Sequence, residues 1–124
     1  MIIDRLFTGA DGHTHFGQIE VALEDSGDIG SLSEAFGAES VIFRTNPGSY
    51  DFDFHRAPQR QLIVLLDGEI EVENALGEKR RYRHGDVVLA EDLSGSGHRT
   101  KSVDGRLRRS LFITLGNTKI GEPL

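Results

Sequence analysis

GSYDFDFHRAPQRQLIVLLDG, residues 48–68, is the stretch that decides the fold. Its first part alternates polar and aromatic residues, and this period of two places Asp53 on the same face of a predicted strand as His55. An apolar run at 62–66 predicts a second strand. The dipeptide Asp67-Gly68, which follows this run, favours a tight hairpin turn.

The same pattern of short strands and turns continues along the whole chain, and no sustained helical period interrupts it. The segment 24–40, rich in glycine, is predicted to be a loop with one helical turn at 32–36. We therefore expect an all-β, antiparallel sandwich or barrel. The predicted strands cover residues 2–8, 15–23, 41–45, 50–55, 62–66, 69–74, 80–83, 87–90, 98–103 and 109–115.

Length and composition limit the classes of protein to consider. With 124 residues we expect one domain, 1–124, and the absence of cysteine excludes disulfides and thiolate ligands. A net charge of -6 argues against a nucleic-acid partner, because phosphates require a clustered basic surface. No apolar run has membrane-spanning length and residues 1–7 do not have the pattern of a signal peptide, so we expect a cytoplasmic protein without a membrane partner.

The order of residues from 47 to 115 resembles the small single-domain bacterial cupins, the RmlC-like jelly rolls. The first motif of that family has a glycine, two histidines one residue apart, a glutamate, and a glycine after an apolar strand. Anchored on Gly68, the first histidine falls on His55, whereas Ala57 and Gln61 stand at the positions of the second histidine and the glutamate. The resemblance implies a double-stranded β-helix, a jelly-roll barrel over 41–115, preceded by N-terminal strands and a loop at 1–40.

The second cupin motif supplies a further histidine. Anchored on Gly85-Asp86, it falls on His98. The resemblance thus implies a reduced metal site of His55, His98 and Gln61, with iron, manganese, nickel or zinc as the divalent ion. Gln61 offers only a neutral oxygen, so the missing carboxylate would come from Asp53, Glu91 or Asp92.

Further residues are expected to line a small-molecule pocket inside this scaffold. Alternation turns Ile63 and Leu65 inward together with Gln61. The basic group Arg106, Arg108 and Arg109 is expected to face water, with the alternative that one of them points inward and pairs with an anionic ligand. The complete set of predicted pocket residues, for some of which core packing is the alternative, is Tyr50, Asp53, Ile63, Asp92 and Phe112.

Three functions are compatible with this pattern. The first is a metal-dependent oxygenase or isomerase that acts on a small polar or aromatic compound. The second is a metal-free acid-base catalyst similar to the cupin-like sugar epimerases, with a histidine paired to a carboxylate as base and Tyr50 or Tyr82 as acid. The possible pairs are His55 with Asp53 and His98 with Asp92. The third is a non-catalytic binding module.

The resemblance also implies a homodimer, since cupin barrels often associate through sheet faces and N-terminal strands. The predicted strand 2–8 would then cover a sheet edge that is otherwise open to pairing.

Overall fold

The computed structural model describes residues 1–124, and it is built from β-strands with a single 3-10 turn at Gly27–Ile29. The predicted all-β class is therefore confirmed. In chain order the strands are β1 Ile2–Thr8, β2 Thr14–Glu20, β3 Glu24–Asp25, β4 Ser31–Leu32, β5 Ser40–Asn46, β6 Asp51–His55, β7 Gln61–Leu65, β8 Glu69–Asn74, β9 Lys79–Arg83, β10 Val87–Glu91, β11 His98–Ser102, β12 Arg108–Thr114 and β13 Glu122–Pro123.

The predicted strands all exist, and the largest local difference lies between β2 and β5. In place of a helical turn at 32–36, the chain forms the small hairpin of β3 and β4 around the 3-10 turn. Gly27 and Gly30 have φ values of 69° and 92° there. These left-handed conformations reverse the chain and suit glycine alone among residues.

The strands form two principal sheets, which are not closed into a barrel. The larger sheet has the order β13-β2-β1-β10-β7-β12-β5, and the smaller has the order β6-β11-β8-β9. All neighbours are antiparallel except β1 and β10, which run parallel. The N-terminal strand is thus a central member of the larger sheet, bonded on both sides, and it has no free edge to offer a second copy.

The two sheets face each other across a shared apolar core. Leu6, Leu65 and Val88 of the larger sheet pack with Ile70, Val72 and Tyr82 of the smaller one, as one buried cluster. Burial of each large aliphatic side chain contributes about 1.5–3 kcal/mol, so this cluster holds the sheets together. A second cluster around Ile3, Ile19 and Leu89 joins the N-terminal strands to the remainder of the larger sheet. The structure has no helix of the length and hydropathy needed to span a membrane.

Candidate ligand pocket

A pocket of about 510 Å³ lies between the two sheets, beside the shared core. Thirteen of its 23 lining residues are hydrophobic, so most of its wall is suited to an apolar body. The charged lining residues are all basic: Arg44, Arg56 and Arg108. The lining contains no aspartate or glutamate, which gives the pocket a positive character in a chain whose net charge is -6.

One wall of the pocket is formed by alternate residues of β5, β12 and β7, three neighbouring strands of the larger sheet. The register pairs Arg44 with Ser110 and Phe112 with Ile63, so side chains of the same face lie next to each other across strands. The expectation that Gln61, Ile63 and Leu65 turn inward together is met, and the predicted pocket residues Ile63 and Phe112 belong to this wall. The residues that this wall contributes are Ile42, Arg44, Gln61, Ile63, Leu65, Arg108, Ser110 and Phe112.

An irregularity in β6 changes which of its residues face the pocket. His98 of β11 lies opposite His55 and Thr100 lies opposite Phe52, so β6 has one more residue than β11 over this interval. The extra residue is a β-bulge, and it turns Phe52 and His55 to the same side of the strand. The prediction that Asp53 shares the inner face with His55 is therefore wrong. Asp53 is exposed, and its carboxylate accepts a hydrogen bond from the backbone N–H of Phe54.

The imidazole rings of His55 and His98, 43 positions apart in the chain, are neighbours in the lining. Their centroids lie 4.5 Å apart. The row of rings continues from His55 to Phe52 at 4.1 Å and from Phe52 to Tyr50 at 6.2 Å. The two histidines therefore end an aromatic row that forms a second wall and that also contains the predicted pocket residue Tyr50.

Gly97 permits this close approach of β6 and β11. Its φ of +72° is left-handed, and a Cβ atom at this position would lie 2.3 Å from the backbone oxygen of His55. Only glycine allows the chain to pass so close to β6 immediately before His98.

His98 is held by a buried carboxylate. The Asp92 Oδ2 atom accepts hydrogen bonds from Nδ1 of His98 at 2.5 Å and from the Thr14 hydroxyl at 2.8 Å. Because the carboxylate can only accept, Nδ1 of His98 carries a hydrogen, so the lone pair of the ring in its neutral form lies on Nε2. Nε2 has no hydrogen-bond partner within the chain, and the ring lines the pocket. Asp92 was predicted to line the pocket itself, but it is fully buried behind His98.

His55 has a different environment, and its Nδ1 donates to the backbone oxygen of Asp53 at 2.8 Å. Burial lowers the pKa of His55 from its ordinary value of 6.5, and nearby His98 acts in the same direction, while the bond to Asp53 opposes the shift. His55 is thus predominantly a neutral imidazole at neutral pH. Of the two possible histidine and carboxylate pairs, only that of His98 with Asp92 is formed.

The residues present do not fit a divalent metal site. No group of three histidine, aspartate, glutamate or cysteine side chains comes together anywhere in the chain. Asp53 faces outward, Asp92 lies behind His98, and Glu91 bridges Arg5 and Arg60 at 3.0 and 3.1 Å. What remains near the rings is the neutral amide of Gln61, which would leave the charge of a dication uncompensated beside three arginines.

The two tyrosines differ in whether the hydroxyl group is already engaged in a hydrogen bond. The hydroxyl of Tyr82 donates to Asp4 on β1 at 2.8 Å, and burial raises the pKa of Tyr82 above its usual value. Tyr50 lines the pocket with a hydroxyl that has no hydrogen-bond partner in the chain. Of the two predicted acids, Tyr50 is therefore the one with a free hydroxyl.

The basic group at the start of β12 is divided between surface and pocket. Arg106 and Arg109 are exposed, as expected, and Arg109 pairs with Asp67. Arg108 is only 5 % exposed, so the expectation that the whole group faces water is wrong for this residue. Alternation on β12, fixed by its pairing with β7 and β5, turns Arg108 inward with Ser110.

Two residues that contribute to the basic and aromatic lining of the pocket, Arg44 and Phe52, were not predicted from the sequence. Arg44 is a charged residue inside a short apolar strand, and this conflict was the available signal that its side chain meets a special environment. Phe52 had no such signal, because its orientation depends on the bulge.

Comparison with known proteins finds no family model that matches the chain and no curated protein with significant sequence similarity. The class defined by fold and site is thus an all-β protein with a basic, largely apolar pocket lined by a histidine that a buried carboxylate supports from behind.

Proposed function

We propose that the protein is a cupin-like jelly roll that binds a small organic molecule and transfers a proton with His98 as the base, without a metal. The order of its strands supports the jelly-roll part of this proposal. The eight strands β5 to β12 are divided four and four between two facing sets, β10-β7-β12-β5 and β6-β11-β8-β9. A double-sheet jelly roll distributes its eight strands in this manner.

The observation that carries the chemical proposal is the hydrogen bond from His98 Nδ1 to Asp92. Such a bond fixes the ring and stabilises the imidazolium that forms when Nε2 accepts a proton. Asp92 is shielded from water and makes this contact at 2.5 Å, while the opposite edge of the ring is free toward the pocket.

The reaction class that fits is proton transfer at a carbon atom next to a carbonyl group, as in an isomerase or epimerase. Nε2 of His98 takes the proton from carbon, and the electron pair moves onto the carbonyl oxygen as an enolate. The enolate charge is favoured by the basic pocket. Tyr50 is the candidate donor of the returning proton to carbon. To close the cycle, the His98 imidazolium then gives its proton to water, and the Tyr50 phenolate takes a proton from water.

Hydrogen exchange at carbon tests this proposal without knowledge of the natural substrate. Chelator-treated protein is incubated in D₂O with small carbonyl compounds, both anionic 2-oxo acids such as phenylpyruvate and neutral ketones such as 4-phenylbutan-2-one. NMR then follows replacement of the hydrogen next to the carbonyl. We expect exchange above the buffer rate, reduced by about 10²- to 10⁴-fold in His98→Gln. His84→Gln, which changes an exposed turn histidine, is the matched control.

A non-catalytic binding module is the second candidate, favoured by the apolar majority of the lining. It differs in one result. Compounds that bind the pocket would show no hydrogen exchange beyond the buffer rate. His98→Gln would change neither their affinity nor their rate of exchange.

A further inference from the structure

We infer that the Arg44 and Arg108 end of the pocket is a subsite for an oxyanion, so that the ligand is a small organic anion with an apolar body. This inference names the ligand class of the pocket and rests on the proposed small-molecule function. It does not depend on catalysis.

Arg108 is the main argument, because its positive charge has no partner inside the protein. Its guanidinium donates from Nη2 to the neutral side-chain oxygen of Asn46 at 2.8 Å, and Nε and Nη1 have no hydrogen-bond partner. No carboxylate forms an ion pair with it, although Asp104 acts on it from a greater distance. An arginine remains charged at neutral pH, and an unpaired buried charge is costly. An anion in the pocket would remove this cost.

Arg44 adds a second unpaired charge at the same place. It lies on the neighbouring strand β5, and the Tyr50 ring is 6.0 Å from its guanidinium carbon and 5.0 Å from that of Arg108. The side chain also lies over Phe112 at 4.8 Å. Contacts with aromatic faces hold both guanidinium groups in place without neutralising them, even though the two charges repel each other. The geometry therefore favours an anion over a neutral ligand.

A polar atom at the same end agrees with this assignment. Ser110 of β12 lines the pocket next to both arginines. It pairs with Arg44 across β12 and β5, and it is two residues from Arg108 on the same strand. It is 2 % exposed, and its hydroxyl has no partner. Several basic residues elsewhere in the chain are paired with carboxylates, as Arg5 and Arg60 are with Glu91 and Arg99 is with Asp51. Three of the six buried side-chain atoms without a hydrogen-bond partner, Nε and Nη1 of Arg108 and the Ser110 hydroxyl oxygen, belong to this end of the pocket.

The rest of the pocket determines the body of the ligand. Beyond the arginines the walls are aliphatic and aromatic, with Phe52 and His55 in the aromatic row and Ile63 opposite on β7. A volume of about 510 Å³ accommodates a compound of one or two rings and excludes a polymer. Carboxylate and phosphate share the required chemistry, and the experiment separates them.

The test is the affinity of chelator-treated protein for three matched probes: phenylacetate, phenyl phosphate and neutral phenylacetamide, measured by titration calorimetry. We expect at least one anion to bind about tenfold or more tightly than the amide, with an affinity that falls as sodium chloride is raised. The better of the two anions identifies the oxyanion. Arg44→Met and Arg108→Met should each remove most of this preference, whereas exposed Arg106→Met should retain it.

Equal affinity for the amide and both anions would overturn the subsite, as would an anion preference that survives in both Arg44→Met and Arg108→Met. If circular dichroism shows that Arg108→Met does not fold, the half-buried Arg44 carries the test alone. His98→Gln separates the two proposals. It should keep the preference for anions although it loses hydrogen exchange, and a protein that prefers anions but never exchanges hydrogen would retain the subsite while contradicting the catalytic function.

Discussion

Asp92 and His98 form a buried pair in which the carboxylate oxygen and Nδ1 of the imidazole are 2.5 Å apart. The pair is built by local chain geometry, because Asp92 and the five residues between it and His98 form the loop from β10 to β11. The Thr14 hydroxyl binds the same oxygen and ties this loop to β2. The proposed base is thus supported from behind by a rigid part of the larger sheet.

Replacing Asp92 should both destabilise the protein and free the His98 ring. In Asp92→Asn the oxygen that accepts from His98 and Thr14 loses its negative charge, and a buried NH₂ group without an acceptor replaces Oδ1, so we expect a loss of about 1–3 kcal/mol in the free energy of unfolding. The long-range ¹H–¹⁵N spectrum of the histidine side chains should show that the Nδ1–H form of His98 is no longer dominant. Urea denaturation supplies the stability, with exposed Asp28→Asn as control. An unchanged spectrum would contradict the assigned role of Asp92.

Gly97 should tolerate alanine poorly for two separable reasons. Its left-handed φ alone costs about 1 kcal/mol for a residue with a Cβ atom, and the clash with the His55 oxygen at 2.3 Å adds to it. Gly77 is the matched control, since its φ is +80° but nothing lies within 4 Å of an added Cβ. We expect Gly97→Ala to lower the midpoint of urea denaturation more than Gly77→Ala does. Equal effects of the two substitutions would show that β6 and β11 are not in close contact at this point.

The stability of the protein should depend on His55 in mildly acidic solution. Because the folded-state pKa of His55 lies below its unfolded value of 6.5, the unfolded chain binds more protons between these two values. The stability contribution is therefore complete above pH 6.5 and is lost as pH falls through the folded-state pKa. Unfolding free energies measured from pH 8 to pH 5 should decline less steeply in His55→Gln than in the wild type, whereas His84→Gln should follow the wild type. Parallel curves for wild type and His55→Gln would refute the buried, neutral imidazole.

Metal binding should require two substitutions. The wild-type protein should show no thermal stabilisation by iron, manganese, nickel or zinc, because its pocket lacks a carboxylate. Ala57→His combined with Gln61→Glu restores the cupin ligands at two positions that both line the pocket, and this double variant should gain a metal-dependent rise in melting temperature. Metal content by elemental analysis provides the second measurement. A wild-type protein that retains a full equivalent of metal would contradict the metal-free proposal.

Self-association, implied by the resemblance to cupins, should involve the edge strand β5. This strand pairs with β12 on one side alone, and its outward-facing Val41 and Phe43 are 53 % and 82 % exposed. An open, apolar edge favours pairing with a second copy. We expect a dimer in light scattering at micromolar concentration, dissociated by Phe43→Lys but not by Leu76→Lys in an exposed turn. A wild-type monomer would contradict this expectation.

The sequence predicted the strands well because the signals that define them are local. A period of two and dipeptides such as Asp67-Gly68 act within a few residues, and β1, β6, β7 and β8 lie within one residue of the predicted positions. The errors of orientation in the central segment, Asp53 and Phe52, arose from a bulge that depends on the pairing of β6 with β11. An alternating sequence pattern does not reveal a register that depends on residues far apart in the chain.

The site was only partly predictable for the same reason. The convergence of His55 and His98 followed from motif positions, but which histidine has a carboxylate partner depended on the path of the loop that places Asp92 behind β11. The inward turn of Arg108 depended on the register of β12 with two other strands. The basic character of the pocket emerges only from this packing, since Arg44 and Arg108 are 64 positions apart.

The account is tested most directly by a crystal structure of chelator-treated protein with bound phenylacetate, recorded with anomalous data at the zinc and iron edges. We predict ligand density between the sheets, with the carboxylate within hydrogen-bonding distance of Arg44 or Arg108, the ring against the aromatic row, and no anomalous peak near the histidines. A metal bound by His55 and His98, or a ligand whose carboxylate points away from both arginines, would contradict it.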